Sequence, residues 1–179
     1  MKEKILRELF DYLKLIVFVV VAVLVINNFV IVNALIPSES METTIMTGDR
    51  LFGNRLAYTF GEPGRGDIII FKYPLDEKQL FIKRVIGLPG DTVKIVSGKI
   101  YINGSETPMD EPYLMESPEL SIPLNDDIVY EVPAGSYFVM GDNRNHSSDS
   151  RVWGYVPEDL ILGEAMFRYF PFSEMGTIK

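Results

Sequence analysis

Between Lys14 and Glu39 the chain carries no charged residue, and that run constrains its fold more than any other feature. Residues 15–26 are continuously apolar, Asn27-Asn28 interrupts, and residues 29–36 are apolar again apart from Asn33. At 1.5 Å per residue, a helix of roughly 22 residues spans about 33 Å, enough to cross a hydrocarbon core. Residues 15–36 therefore read as a single transmembrane helix. Lys2, Lys4, Arg7 and Lys14 precede the run, and the next basic residue is Arg50. That asymmetry puts residues 1–14 in the cytoplasm and residues 37–179 on the outer side of the cell membrane. Two other readings compete. A cleaved signal peptide would use the same basic start, with Val32-Asn33-Ala34 as its small-residue cut site, although the apolar stretch is long for that. A buried helix of a soluble core would show an amphipathic face, and this stretch has none.

Beyond the anchor there is length for about one domain. A net charge of -8 argues against nucleic acid as a partner, because phosphate binding needs basic patches. The chain has no cysteine, which removes disulfides, zinc–thiolate sites and thiol nucleophiles, and is compatible with an oxidising exterior. Short runs rich in β-branched and aromatic residues read as strands at 68–71, 80–86, 92–96, 99–102, 128–132, 136–140 and 165–169. Gly/Pro/Asn turn signals separate them, and Ser97-Gly98 reads as a hairpin turn. The expected fold is mainly β: an N-terminal transmembrane helix followed by an antiparallel β-sheet or barrel-like domain. Residues 104–127 are acidic, proline-rich and without periodicity, and read as a long surface excursion.

Three places carry candidate chemistry. In Leu80-Phe81-Ile82-Lys83-Arg84-Val85-Ile86, strand alternation puts Lys83 on one face with Phe81 and Val85, and Arg84 on the other with Ile82 and Ile86. A lysine among apolar neighbours loses hydration, its pKa falls, and the neutral amine can act as a general base. The plainer reading is an edge-strand lysine charged in water. Ser40 lies at the foot of the anchor and reads locally as a helix or turn cap. The Ser38 hydroxyl two residues away can donate toward an oxyanion beside the Ser40 N–H. The loop 141–151, Gly141-Asp142-Asn143-Arg144-Asn145-His146-Ser147-Ser148-Asp149-Ser150-Arg151, is dense in hydrogen-bonding groups and follows a strongly β-like run that can aim it at a site. His146 is the only histidine, so a Ser-His-Asp triad would have to use it, with Asp142 or Asp149 as its orienter.

Taken together, Pro37-Ser38-Glu39-Ser40-Met41-Glu42-Thr43-Thr44-Ile45, Arg65-Gly66-Asp67-Ile68-Ile69-Ile70-Phe71, Phe81-Ile82-Lys83-Arg84-Val85-Ile86-Gly87-Leu88-Pro89-Gly90-Asp91 and the loop 141–151 resemble the ordered boxes of bacterial type I signal peptidases. The single anchor and compact length resemble the short, Gram-positive-type form. The resemblance implies a membrane-anchored serine endopeptidase that removes signal peptides from exported preproteins after small residues at -3 and -1. It implies Ser40 as nucleophile, Lys83 as general base, and Ser38 with the Ser40 N–H as oxyanion donors. Ser147 would orient the base, and Asp149 and Arg151, with Arg84, would brace the site. Ile36 and Ile82 would line the shallow substrate pockets, and His146 matches no catalytic position. No metal or cofactor is implied; the partners are signal-peptide-bearing preproteins and the lipid bilayer.

Three residues depart from the family pattern: Glu39 stands where glycine is usual, Thr43 where proline is common, and Phe81 where tyrosine is. A Glu39 carboxylate between the two site serines would disturb the oxyanion region unless it points to solvent. The alternative is therefore a catalytically impaired, membrane-anchored β module that binds exported segments. A Ser-Lys self-cleaving regulator like the SOS repressors fits less well, because the chain has a membrane span and no DNA-binding helix pair. Val32-Asn33-Ala34 itself obeys the small-residue rule, so self-cleavage after Ala34 is a further expectation.

Overall fold

The computed structural model describes residues 2–114 and 128–178. Helix α1 covers Lys2–Val25 and runs into one π-helical turn, Ile26–Val30. At that turn the Asn28 side chain donates to the Leu24 carbonyl at 2.8 Å, competing with the backbone ladder where the helix loses its regular pattern. The stretch Leu6–Val30 is long and apolar enough to cross a membrane.

The helix expected over 15–36 is corrected at both ends. It begins at Lys2, and its last six expected positions are not helical. Ile31–Leu35 forms strand β1, antiparallel to β2 (Arg50–Asn54), with Val32 opposite Gly53 and Ala34 opposite Leu51. Val32, Ala34 and Ile36 are buried while Asn33 and Leu35 are exposed, a period of two that a helix cannot satisfy. Hydrophobicity alone does not separate the two states in so short a run, and pairing with β2 decides it.

The expected β architecture is present. The remaining strands are β3 (Ile68–Tyr73), β4 (Asp76–Gly87), β5 (Thr92–Val96), β6 (Lys99–Ile102), β7 (Val129–Glu131), β8 (Ser136–Met140), β9 (Val156–Pro157), β10 (Ile161–Phe170) and β11 (Gly176–Thr177). The large sheet has the order β1-β2-β10-β3-β4-β8-β9, with β11 beside β10, and its strand pairs are antiparallel. A second, three-stranded sheet has the order β6-β5-β7. Ser97 and Gly98 have φ of 48° and 76° between paired Val96 and Lys99, the left-handed pair that a two-residue hairpin requires.

Alternation along β3 and β4 divides the core. Ile68, Ile70 and Ile82 pack with Val32, Ile36, Met41 and Leu51 on one face. Ile69, Phe71 and Val85 pack with Tyr137 and Val139 on the other. Lys83 is opposite Ile69 in the β3–β4 register, which places its stem on the second face, as the strand phase predicts.

The described part of the 104–127 segment is not a simple surface excursion. Met109 N–H donates to the Ile100 carbonyl at 2.7 Å, and its side chain packs on the core of the small sheet. The Glu111 carboxylate is buried against Arg144. An acidic, proline-rich composition reads as surface until a buried arginine elsewhere in the chain supplies its partner. Residues 115–127 lie outside the described residues.

Candidate active site

Ser40 is held by a closed loop between β1 and β2. The loop is clasped at its base by Ile36 N–H to Asp49 O at 3.0 Å and Gly48 N–H to Ile36 O at 2.8 Å. Pro37 has no N–H and ends the strand. Met41 and Ile45 are fully buried in the first core cluster, so the turn from Glu39 to Ile45 is pinned by its apolar side chains and carries Ser40 inward. Ser40 caps no helix; its side chain faces β4.

Lys83 meets it there. Its Nζ lies 2.6 Å from Ser40 Oγ, donates to the Ile82 carbonyl at 3.0 Å, and stands 5.4 Å from the centre of the Phe81 ring. The two residues are 4% and 7% exposed, which rules out the solvated edge lysine. Burial pushes the Lys83 amine down from 10.5 to about 8, partly offset by the nearby Asp149 and Asp142 carboxylates. Desolvation dominates because the ammonium has few hydrogen-bond acceptors here to replace water. Ser38 Oγ is 3.4 Å from Ser40 Oγ on the other side.

The loop after β8 braces this pair from behind. Asn143 N–H donates to Ser40 O at 3.1 Å. Asp149 accepts from Gly141 N–H at 3.1 Å and from Arg151 Nε and Nη2 at 2.8 and 2.9 Å; it also caps the short helix α2 (Ser150–Trp153). The expected network of Asp149, Arg151 and Arg84 resolves into two separate ion pairs. Arg84 binds Asp142 through both ends of its guanidinium, at 2.9 and 2.6 Å, and donates to Gly66 O at 2.8 Å. Thr44 Oγ1 adds a 2.6 Å hydrogen bond to the same carboxylate. The planar fork of Arg84 selects the carboxylate it can engage bidentately. Ser147 is beside the site, but its hydroxyl is buried without a hydrogen-bond partner among the described residues and does not reach Lys83.

His146 pairs with neither Asp142 nor Asp149. Its Nδ1 lies 3.3 Å from Glu39 Oε1 at the rim, with the two side chains 62% and 57% exposed. Lys83 occupies the place beside Ser40, so the triad reading is overturned. The Glu39 side chain is thus solvent-exposed and engaged at the rim.

A groove of about 630 Å³ runs past Ser40. Its walls include Ala34, Leu35 and Ile36 on one side and Leu80, Phe81 and Ile82 on the other. The expected pocket residues Ile36 and Ile82 are thus brought together. Ala34 is itself part of this wall, 7% exposed and paired with Leu51. Cleavage after Ala34 within one intact molecule would require β1 to leave β2, so the fold opposes that expectation.

Sequence reasoning missed Asp142 as the partner of Arg84, the Glu111–Arg144 pair with Tyr113 beside it, and the crowding at Gly141. A β-carbon built on Gly141 collides with the Ser147 hydroxyl and the Ser40 carbonyl. The signal for Asp142 lay in the loop itself; for Glu111 and Tyr113 there was none.

The pattern of the family described as "Signal peptidase, peptidase S26" matches residues 9–170. The chain belongs to that family. This S26 peptidase is 42% identical to the probable signal peptidase I-1 of Synechocystis sp. over 94% of its own length and 86% of that protein. It is 40% identical to the signal peptidase I of Bacillus licheniformis, over 94% and 92% of the two chains. Among solved structures, a signal peptidase I from Enterococcus faecalis is 35% identical, with a TM-score of 0.49 over 58% of this chain and 97% of that one. Because the Glu39–His146 contact is exposed and contributes little, replacing Glu39 in this S26 peptidase by glycine is expected to change peptide-cleavage kcat/KM by less than about threefold. Steady-state assays on one peptide check this, and a larger change would place the carboxylate in the chemistry.

Proposed function

We propose that this peptidase is a membrane-anchored signal peptidase I, which removes signal peptides from exported preproteins with a Ser40/Lys83 dyad. The observation that carries the reading is the 2.6 Å approach of Lys83 Nζ to Ser40 Oγ inside an apolar wall. At that distance the neutral amine takes the hydroxyl proton as Oγ attacks the carbonyl carbon of the substrate's -1 residue. The oxyanion forms beside the Ser38 hydroxyl and the Ser40 N–H. As the C–N bond breaks, the lysine proton passes to the leaving amine. The Lys83 amine, neutral again, then takes a proton from a water that attacks the acyl ester, and returns that proton to Ser40 Oγ as the ester C–O bond breaks.

Groove geometry supports substrate choice. Buried Ile36 and Ile82 stand on the two walls of the groove, and under this reading they are what side chains larger than methyl at -1 and -3 would meet. Strand β1 pairs with β2 along one edge, and residues 80–83 of β4 pair with β3 along one edge. Their other edges flank the groove, where an extended substrate can add as a strand. The apolar helix feeds directly into β1, which is itself a groove wall, and this holds the site close to a bilayer where signal segments also lie. Under this reading the N-terminus is cytoplasmic and the site is outside.

The test is processing of a preprotein by the full chain in vesicles, with N-terminal sequencing of the product. Cleavage after a small residue, lost in Ser40→Ala, supports the reading; serine-independent cleavage sinks it. The acid side of the pH profile is a second check. Lys83 is active as the free amine, so protonation below its pKa removes the base. kcat/KM is expected to fall about tenfold per pH unit below a midpoint of about 8. A flat profile across that midpoint would exclude Lys83 as the base.

A further inference from the structure

The segment Glu111–Tyr113 belongs to the long connection from the small sheet, yet it touches all three parts of the site. Arg84 sits over the Tyr113 ring, with the guanidinium carbon 4.0 Å from the ring centre. Its hydroxyl donates to Glu111 Oε1 at 2.7 Å. Glu111 forms a buried ion pair with Arg144, whose Nε donates to Gly141 O at 3.0 Å. The Tyr113 carbonyl accepts from Thr43 Oγ1 at 3.2 Å, on the turn that carries Ser40. Strand β4, the serine turn and the loop 141–151 therefore converge on three consecutive residues.

We propose that Tyr113, backed by Glu111, is a positioning residue for the Ser40–Lys83 pair: its ring holds Arg84 on Asp142, the carboxylate nearest the loop that grips Ser40. An arginine stacked on an aromatic face keeps its fork planar and aimed. Asp142 is thereby held in a bidentate pair, and the adjoining Asn143 N–H keeps its hold on the Ser40 carbonyl. Burial and the Glu111 carboxylate raise the Tyr113 phenol above its ordinary range, so it remains a neutral donor wherever the enzyme works.

The electrostatic consequence has a definite sign. The charged groups around Lys83 are Asp142 with its partner Arg84 and Asp149 with its partner Arg151. Arg144, neutralised by Glu111, stands behind Gly141, and the Glu39–His146 contact lies at the rim. Loosening Arg84 leaves the Asp142 carboxylate less neutralised, which favours the lysine ammonium. That change raises the Lys83 pKa.

This inference rests on the dyad reading above, and the test separates the two. In Tyr113→Leu full-length enzyme, kcat is expected to fall about tenfold, as for a small displacement of reacting groups, with KM within about twofold. The acid limb of kcat/KM is expected to move up by at least about half a pH unit. Tyr113→Phe keeps the ring over Arg84 and is expected to retain the wild-type limb. If Tyr113→Leu fails to fold, Tyr113→Met fills similar volume without a ring face and carries the same expectation. A limb unmoved in the folded ring-less variant, or moved equally in Tyr113→Phe, overturns the inference while Ser40→Ala remains inactive. Activity surviving in Ser40→Ala would instead overturn the dyad reading.

Discussion

Lys83→Ala is expected to lower kcat/KM for a signal-peptide substrate by about 10⁴-fold or more, the usual cost of deleting one member of a nucleophile–base unit. Among the described residues Ser40 has no other base in reach: the Ser38 hydroxyl at 3.4 Å is no stronger a base than Ser40 itself, and His146 is engaged with Glu39 at the rim. KM is expected to change little, because the groove walls at Ile36 and Ile82 are untouched. Lys83→Arg should be equally inactive, since guanidinium does not lose its proton in this pH range. Ser40→Ala should cost a similar factor, and the double variant should be no worse than either single one, because the two residues act as a unit. Single-turnover cleavage of a fluorogenic peptide by the four variants measures this. Retention of a tenth of wild-type activity in Lys83→Ala would require another base.

Gly141→Ala is expected to be the next most damaging change, although position 141 makes no contact with substrate in the mechanism above. The β-carbon has no room: it is driven into the Ser147 hydroxyl and the Ser40 carbonyl, and it lies 2.6 Å from the Ser147 β-carbon. The loop cannot retreat freely, because Gly141 N–H is bonded to Asp149, Gly141 O to Arg144, and Asn143 N–H to Ser40 O. Relief must come from moving the serine turn away from β4, which lengthens the Ser40–Lys83 contact. A misplacement approaching 1 Å costs about 10² in rate, and overpacking of this kind costs about 1–3 kcal/mol in stability. The expected result is a kcat loss of about a hundredfold in protein that still melts cooperatively. Wild-type kcat in Gly141→Ala would mean that the loop and the serine turn are not coupled as described.

Legibility of this chain followed the range over which each signal acts. The strands at 92–96, 99–102 and 136–140 were readable residue for residue, because period-two alternation and the Ser97-Gly98 turn are local. The phase of Lys83 was readable for the same reason, and so was the identity of its apolar neighbours. The end of the apolar helix was not: residues 31–35 are apolar but for Asn33 in either state, and only β2, some twenty residues on, makes them a strand. The loop 141–151 offers two acids, Asp142 and Asp149; the resemblance grouped Arg84 with Asp149, and two-point geometry chose Asp142. The role of Glu111 was hidden altogether, because its partner Arg144 is thirty-three residues away and nothing in its own surroundings marks it as buried.

By itself, then, the sequence determined a membrane-length apolar helix, a β-rich remainder, and a serine and a strand lysine of the right types in the right phase. Tertiary structure decided that those two touch, that burial brings the lysine to about 8, and that Glu39 faces His146 at the rim. It also decided which acid neutralises which arginine. The division has one physical cause. Periodicity and turn chemistry are written in neighbouring residues, whereas a lowered pKa and a bidentate pair exist only once distant segments have excluded water between them.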